Sequence, residues 1–139
     1  MRIEIPEEKK FVHQMNMPIR WGDMDAFGHV NNTVYFRYME QARVEWITSL
    51  GYSVAPGDES MLMINGFCNF YQQLSYPGEL VLKTYIGNIG RSSLDVYTTM
   101  ALTTEPDTMA AVGGATMVWV ELKTGKSAPW PDHVINKLR

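Results

Sequence analysis

Apolar and polar residues alternate from Phe11 onward. Phe11, His13, Met15, Met17, Ile19 and Trp21 share one parity, and Val12, Gln14, Asn16, Pro18 and Arg20 the other. A period of two over this length predicts a half-buried strand, because successive side chains point to opposite faces. Pro18 cannot donate to a ladder, so the strand belongs at a sheet edge or bulge. His13 falls on the apolar face and reads as a packed histidine with one hydrogen bond. Residues 1–10 are charged and are expected to be loosely held.

The period changes after a turn-rich connector, Gly22 to Gly28. Asn31 and Asn32 can cap a helix, since their side-chain oxygens accept the unpaired N–H groups of its first turn. Tyr35, Tyr38, Met39, Ala42, Trp46 and Leu50 then recur near the helical period, which predicts a helix from Asn32 to Leu50. Val34, Phe36, Val44 and Ile47 add apolar surface on other faces, so the helix should be wrapped by protein. Gly51 ends it, as the residue that tolerates a left-handed backbone.

Beyond Gly51 the pattern is that of strands and turns. Ser53 to Ser60 reads as a loop, and Met61 to Leu74 as a long strand in which Gly66 suggests a bulge or close approach. Turns at Tyr76–Glu79, Asn88–Arg91, Glu105–Asp107 and Lys123–Lys126 separate strands Leu80–Ile86, Ser92–Thr103 and Met109–Leu122. Short turns between strands favour an antiparallel meander. Gly113-Gly114 suggests a bulge or a contact with backbone or ligand. Pro131 to Leu138 can form a short terminal helix. One apolar helix and one sheet are best buried if the sheet curls around the helix, an α+β architecture.

The chain has 139 residues, the size of one domain. No apolar run approaches the ~18 residues of a membrane span, and residues 1–10 lack the apolar stretch of a signal peptide. Cys68 is the single cysteine, which excludes an intrachain disulfide and points to a reducing, cytoplasmic setting. The net charge is −3 and the basic residues are scattered, unlike a nucleic-acid-binding stripe.

Candidate chemistry gathers ahead of the helix. The first N–H groups of a helix carry partial positive charge and can stabilise an oxyanion forming on a carbonyl. Asp25 precedes them by a few residues, so its carboxylate can attack an acyl carbon or activate a water. There is no Gly-x-Ser-x-Gly nucleophile motif. Asp23 and Asp25 also fit turn formers or caps. Asp23, Asp25 and Gly28 echo a calcium loop, but Phe27 and Val34 stand where ligands belong, so calcium is rejected. Three ligand types in seven residues, Asp23, Asp25 and His29, are the whole case for a transition metal. Asn31-Asn32-Thr33 is a chance glycosylation sequon. Glu40 and Arg43, three apart on the helix, can pair.

The run Asp23-Met24-Asp25-Ala26-Phe27-Gly28-His29-Val30-Asn31-Asn32, followed by Tyr35, Tyr38, Glu40 and Arg43, resembles the acyl-CoA thioesterases of the hot-dog fold, above all the 4-hydroxybenzoyl-CoA thioesterase group. The likeness continues through Gly90-Arg91-Ser92-Ser93-Leu94 and the stretch from Gly113 to Pro131. It implies one sheet around a central helix, hydrolysis of an acyl-CoA or acyl-carrier-protein thioester without metal or cofactor, a role in fatty acid metabolism, and a homodimer or homotetramer. It implies that Asp25 is the catalytic carboxylate and that the backbone N–H of Asn32 or a neighbour is the oxyanion donor. His29 matches the histidine of an Asp-x-Asn-x-His-Val-Asn-Asn motif in plant acyl-carrier-protein thioesterases, where Phe27 replaces the motif's Asn. Its role stands between catalysis and shaping the pocket. Asn31 and Tyr35 become substrate-binding candidates, and Arg91, Ser92 and Ser93 candidate contacts to CoA. Two other readings share the residues. Enoyl-CoA hydratases of the same fold resemble Asp-x-Asn-Pro-x-His, whereas Asp25 and His29 are four apart without Asn-Pro. A non-catalytic acyl-CoA-binding module would not need the Asp/His/Asn constellation.

Overall fold

Among the described residues, 1–52 and 57–139, the computed structural model has one six-stranded antiparallel sheet and one long helix. The elements are β1 (Lys10–Ile19), α1 (Asn32–Ser49), β2 (Glu59–Phe70), β3 (Gly78–Gly87), β4 (Ser93–Leu102), β5 (Met109–Glu121), β6 (Lys126–Ser127) and α2 (Asp132–Leu138). The strand order is β1-β3-β4-β5-β2, with β6 paired to the end of β5. The strands β3, β4 and β5 form the expected meander. The helix interrupts it: β1 returns to pair with β3 and β2 with β5, so the two strands flanking α1 lie at opposite edges. Pro18 accordingly sits on an edge strand, where its missing N–H leaves no ladder bond unmade.

Helix α1 buries Tyr35, Tyr38, Met39, Ala42 and Trp46, one stripe at helical spacing. Tyr35, Tyr38, Met39 and Ala42 pack with Leu80, Leu82 and Met100. Trp46 packs with Ile86, Leu94, Val96 and Met117, closed off by Val134 and Leu138 of α2. Each large side chain removed from water contributes about 2 kcal/mol. The helix is not wrapped all round, since Phe36 is 40% exposed. Among the described residues no helix is long and apolar enough to cross a membrane.

Several sequence expectations shift locally. The first strand stops at Ile19, and a 3-10 turn over Trp21–Asp23 carries the chain away from the sheet, which exposes Trp21. The second strand ends at Phe70 rather than Leu74, whose carbonyl instead accepts the Val30 N–H at 2.7 Å. The irregularity of β2 falls between Met63 and Asn65, not at Gly66. The glycines of β5 are close-approach sites: a Cβ on Gly113 would collide with Met39 Sδ and come within 2.6 Å of Phe67 O. His13 Nε2 stands 3.8 Å from Glu45 Oε2 and has no hydrogen-bond partner among the described residues, unlike the single bond expected. Of the expected loop Ser53–Ser60, residues 53–56 lie outside those described, and β2 begins at Glu59.

Residues 1–9 form no helix or strand. They run along the face of the sheet turned away from α1, where Asn69 Nδ2 donates to Ile3 O at 2.8 Å.

Candidate active site

The loop between the 3-10 turn and α1 is closed by its own backbone. Asp25 N donates to His29 O and Gly28 N donates to Asp25 O, both at 3.0 Å, while Met24 and Val30 form an isolated bridge. Gly28 has φ of +77°, a left-handed turn that side chains resist. Ser75 Oγ donates to Gly28 O at 2.9 Å, so this loop is fastened to the segment beyond β2.

That closure fixes the Asp25 carboxylate. Its Oδ1 accepts the Phe27 N–H at 2.9 Å and its Oδ2 accepts Asn31 Nδ2 at 3.1 Å. Asn31, not Asn32, is the helix cap: its Oδ1 accepts Thr33 N at 3.0 Å and Thr33 Oγ1 at 2.6 Å. Val34 N donates to Asn31 O at 2.9 Å. Among the described residues, the Asn32 N–H has no protein acceptor, so it is the first-turn donor left open to a ligand.

Asp25, His29 and Asn32 border a cleft of about 370 Å³. Its walls are aromatic, from Phe27, Tyr35, Phe70 and Tyr71, with Gln72 and Gln73 at the rim. The Tyr35 hydroxyl donates to Gln72 O at 3.1 Å, and its ring meets Phe70 edge-on with centroids 4.9 Å apart. Burial raises the Tyr35 pKa, so it is a neutral wall of the cleft rather than a base. The His29 imidazole is half-buried in the lining and makes no side-chain hydrogen bond or ion pair among the described residues.

Asp23 has a different task. Its Oδ2 accepts the Tyr38 hydroxyl at 2.5 Å and Arg20 N at 2.9 Å, pinning the 3-10 turn to the helix. Burial, then the Asp23 carboxylate, raise the Tyr38 pKa, so this hydroxyl stays a donor. Asp23, Asp25 and His29 therefore do not converge. Among the described residues no group of three His, Cys, Asp or Glu side chains is placed to hold a metal ion. Cys68 is a partly buried side chain beneath Tyr35, its thiol pushed up to about 12 by burial, and so is a poor nucleophile.

The remaining candidates separate. Asn31 spends its side chain on Asp25 and Thr33 and does not line the cleft. Arg91 and Ser92 end the turn from β3 to β4 and Ser93 opens β4; Arg91 O accepts Trp130 N and Ser92 O accepts Trp119 N. Ser93 is in register with Val118, which pairs with Leu62. From Leu62 to Phe70 at the cleft is roughly 26 Å of extended chain at about 3.3 Å per residue. One chain does not bring these three residues to Asp25. Glu40 pairs with Arg37 at 3.0 Å rather than with Arg43, whose Nη2 points at Met63 Sδ. The run Phe70-Tyr71-Gln72-Gln73 completes the cleft and is not among the residues that the sequence singles out. Its one signal is the polar pair Gln72-Gln73 that interrupts the apolar run ahead of Pro77.

Residues 19–138 match the model of the thioesterase-like superfamily. The structure is similar to that of the PA2801 protein of Pseudomonas aeruginosa, with 32% identity, 94% of this chain and 100% of that one covered, and a TM-score of 0.89. The sequence is 30% identical over 88 residues to the chloroplastic acyl-acyl carrier protein thioesterase ATL3 of Arabidopsis thaliana, covering 61% of this chain and 45% of that protein. The BH1999 gentisyl-coenzyme A thioesterase shares the fold, with a TM-score of 0.81 at 19% identity over 91% of this chain and all of the other. A cleft bordered by Asp25 and by the first residue of the long helix, on one sheet packed against that helix, is thus found in a chain that belongs to the thioesterase-like superfamily of the hot-dog fold and is a thioester hydrolase.

Proposed function

We propose that the protein hydrolyses an acyl-CoA to the free acid and CoA, with Asp25 as the catalytic carboxylate and the Asn32 N–H as the oxyanion donor. The observation that carries this reading is that Asp25 and Asn32 border the same cleft, the carboxylate of the first held by two hydrogen bonds and the backbone N–H of the second without an acceptor among the described residues. The thioester carbonyl oxygen would accept the Asn32 N–H, which strengthens as negative charge forms there. One such donor supplies about 3 kcal/mol to the transition state. A water attacks the carbonyl carbon and gives its proton to Asp25. The tetrahedral intermediate then collapses, the C–S bond breaks, and the departing thiolate takes the proton from Asp25, which returns to the carboxylate. In the direct route Asp25 Oδ attacks the carbonyl carbon and the C–S bond breaks to release the thiolate; water then cleaves the acyl anhydride, its hydroxyl going to the acyl carbon and its proton to the thiolate. His29 borders the same space and serves as a polar wall beside the reacting group.

The aromatic walls suit an acyl group with a flat or apolar body. The names of two relatives, one acting on a CoA thioester and one on an acyl-carrier-protein thioester, leave both carriers as substrates of the proposal. Edge strand β2 exposes Leu62, Met63 and Ile64, at 45%, 51% and 63%, which supports pairing with a second copy as a homodimer or homotetramer. Arg91, Ser92 and Ser93 would then contact CoA only if another subunit brings them to the cleft. The free thiol of Cys68 fits a cytoplasmic setting.

Thiol release measured across short, long and aromatic acyl-CoAs tests the reaction. Turnover of at least one member is expected. No release from any member would favour a binding module. Hydration of crotonyl-CoA without thiol release would favour the hydratase chemistry.

A further inference from the structure

Among the described residues no lysine or arginine borders the Asp25 cleft. Apart from Asp25, the His29 imidazole and Val30, its lining is aromatic and amide. A CoA or phosphopantetheine thioester whose carbonyl reaches Asp25 would leave its phosphates outside the cleft, at the far end of the pantetheine arm. A cation held on the outer side of the cleft wall would attract them.

Residues 1–9 supply one. The segment leaves the start of β1 beside Gly87, where Glu8 O lies near the strand. Lys9 Nζ stands 5.2 Å from the centre of the Tyr85 ring and donates to Pro6 O at 3.0 Å. Ile3 and Glu4 then lie over Asp95, Tyr97 and Thr116 on the outer face of β4 and β5. Beneath this segment Tyr97 is only 6% exposed although it points away from α1. The Asn69 side chain finally clamps Ile3 O at 2.8 Å. Arg2 is thereby delivered to Tyr71, its guanidinium carbon 5.4 Å from the ring centre, and Tyr71 is a wall of the Asp25 cleft. Among the described residues Arg2 has no carboxylate partner. Of the acids on that face, Glu4 forms no ion pair among the described residues and Asp95 is taken up by Asn88, Tyr97 and Thr116. Residues 1–9 also lie outside the stretch matched by the superfamily, 19–138.

We propose that Arg2, carried across the outer face of the sheet and held over the Tyr71 ring, binds a phosphate of the thioester carrier at the mouth of the Asp25 cleft. The inference rests on the thioesterase reading for the direction in which the substrate enters. A guanidinium held over an aromatic ring by cation–π attraction still has N–H groups to donate to a phosphate. Arg2 is therefore a binding residue that acts on substrate affinity and not on the chemical step.

The test compares binding of CoA, 4′-phosphopantetheine and phosphate-free pantetheine to the intact protein and to its Arg2→Ala and Arg2→Lys variants by calorimetry. Arg2→Ala is expected to weaken CoA and phosphopantetheine roughly two- to fivefold, the scale of an exposed charge pair, and to leave pantetheine unchanged. Arg2→Lys should recover part of the loss. An effect on CoA alone also supports the contact and assigns it to the phosphates of the nucleotide. Equal affinities of the intact and Arg2→Ala proteins for CoA, an equal loss for pantetheine, or no CoA binding by the intact protein would overturn it. Failure of the hydrolytic reading would show differently, as CoA binding without thiol release from any acyl-CoA.

Discussion

Asn31 ties Asp25 to the first turn of α1: its amide nitrogen donates to Asp25 Oδ2 at 3.1 Å while its amide oxygen accepts the Thr33 N–H at 3.0 Å. One side chain therefore caps the helix and orients the proposed catalytic carboxylate. These two tasks can be separated. Asn31→Ser keeps a capping oxygen but loses the donor to Asp25, so stability should stay within about 0.5 kcal/mol. The fall in kcat should be on the order of ten- to a hundredfold. Asn31→Ala should lose the same activity and also about 1 kcal/mol of stability. Urea denaturation alongside steady-state kinetics checks both. Full activity in Asn31→Ser would show that the Asn31–Asp25 bond does not matter to the reaction.

Gly113 is the point where β5 lets the helix in. A Cβ there meets both the flexible Met39 side chain and the fixed carbonyl of Phe67. Met39 can adjust and the carbonyl cannot, so Gly113→Ala should destabilise the protein by about 1–3 kcal/mol. Shortening Met39 to Ala in the same chain should relieve only part of that strain. A double-mutant cycle on urea midpoints reads the coupling.

Cys68 makes a prediction about alkaline conditions. Burial pushes its thiol from 9.0 to about 12, so the folded state resists ionisation that the unfolded chain undergoes freely. Above pH 9 the native state holds more protons than the unfolded state, and stability falls as pH rises toward 12. Below pH 9 both states are protonated and the group contributes no pH dependence. Tyr35 and Tyr97, also raised mainly by burial, act in the same direction. Cys68→Ala should flatten the decline of stability between pH 9 and the onset of tyrosine ionisation. A decline of unchanged steepness in that variant would remove Cys68 from the account.

Much of the fold is legible in the alternation and spacing of apolar residues. The stripe Tyr35, Tyr38, Met39, Ala42 and Trp46 gives the helix, which the structure ends at Ser49 with Leu50 as its cap. Alternation gives β4, where Leu94, Val96 and Met100 face the core. Pairing order is less legible, because short turns describe neighbours in sequence and say nothing about where strands separated by a helix will dock. Strand ends are lost where the reason is tertiary: Met61 to Leu74 reads as one apolar run, yet Leu74 lies beyond the ladder, its side chain packed in the core and its carbonyl accepting the Val30 N–H. The same holds for the site. The position of Asp25 ahead of a helix start is visible in the sequence. The division between Asp25 in the cleft and Asp23 under Tyr38 depends on a 3-10 turn, and local composition does not specify it. Gln72 and Gln73 reach the cleft only because the chain beyond β2 is fastened to Gly28 and Val30. No local pattern in the sequence encodes that contact.

The central claim is that the Asp25 carboxylate performs the chemistry, and Asp25→Asn tests it most directly. Asn keeps the size of the side chain and can still accept the Phe27 N–H, so the loop should remain closed and CoA should bind as before. With an acyl-CoA that the intact protein turns over, kcat for thiol release should drop by at least about a hundredfold at unchanged CoA affinity. Turnover by the Asp25→Asn protein within a factor of two of the intact protein would contradict the account.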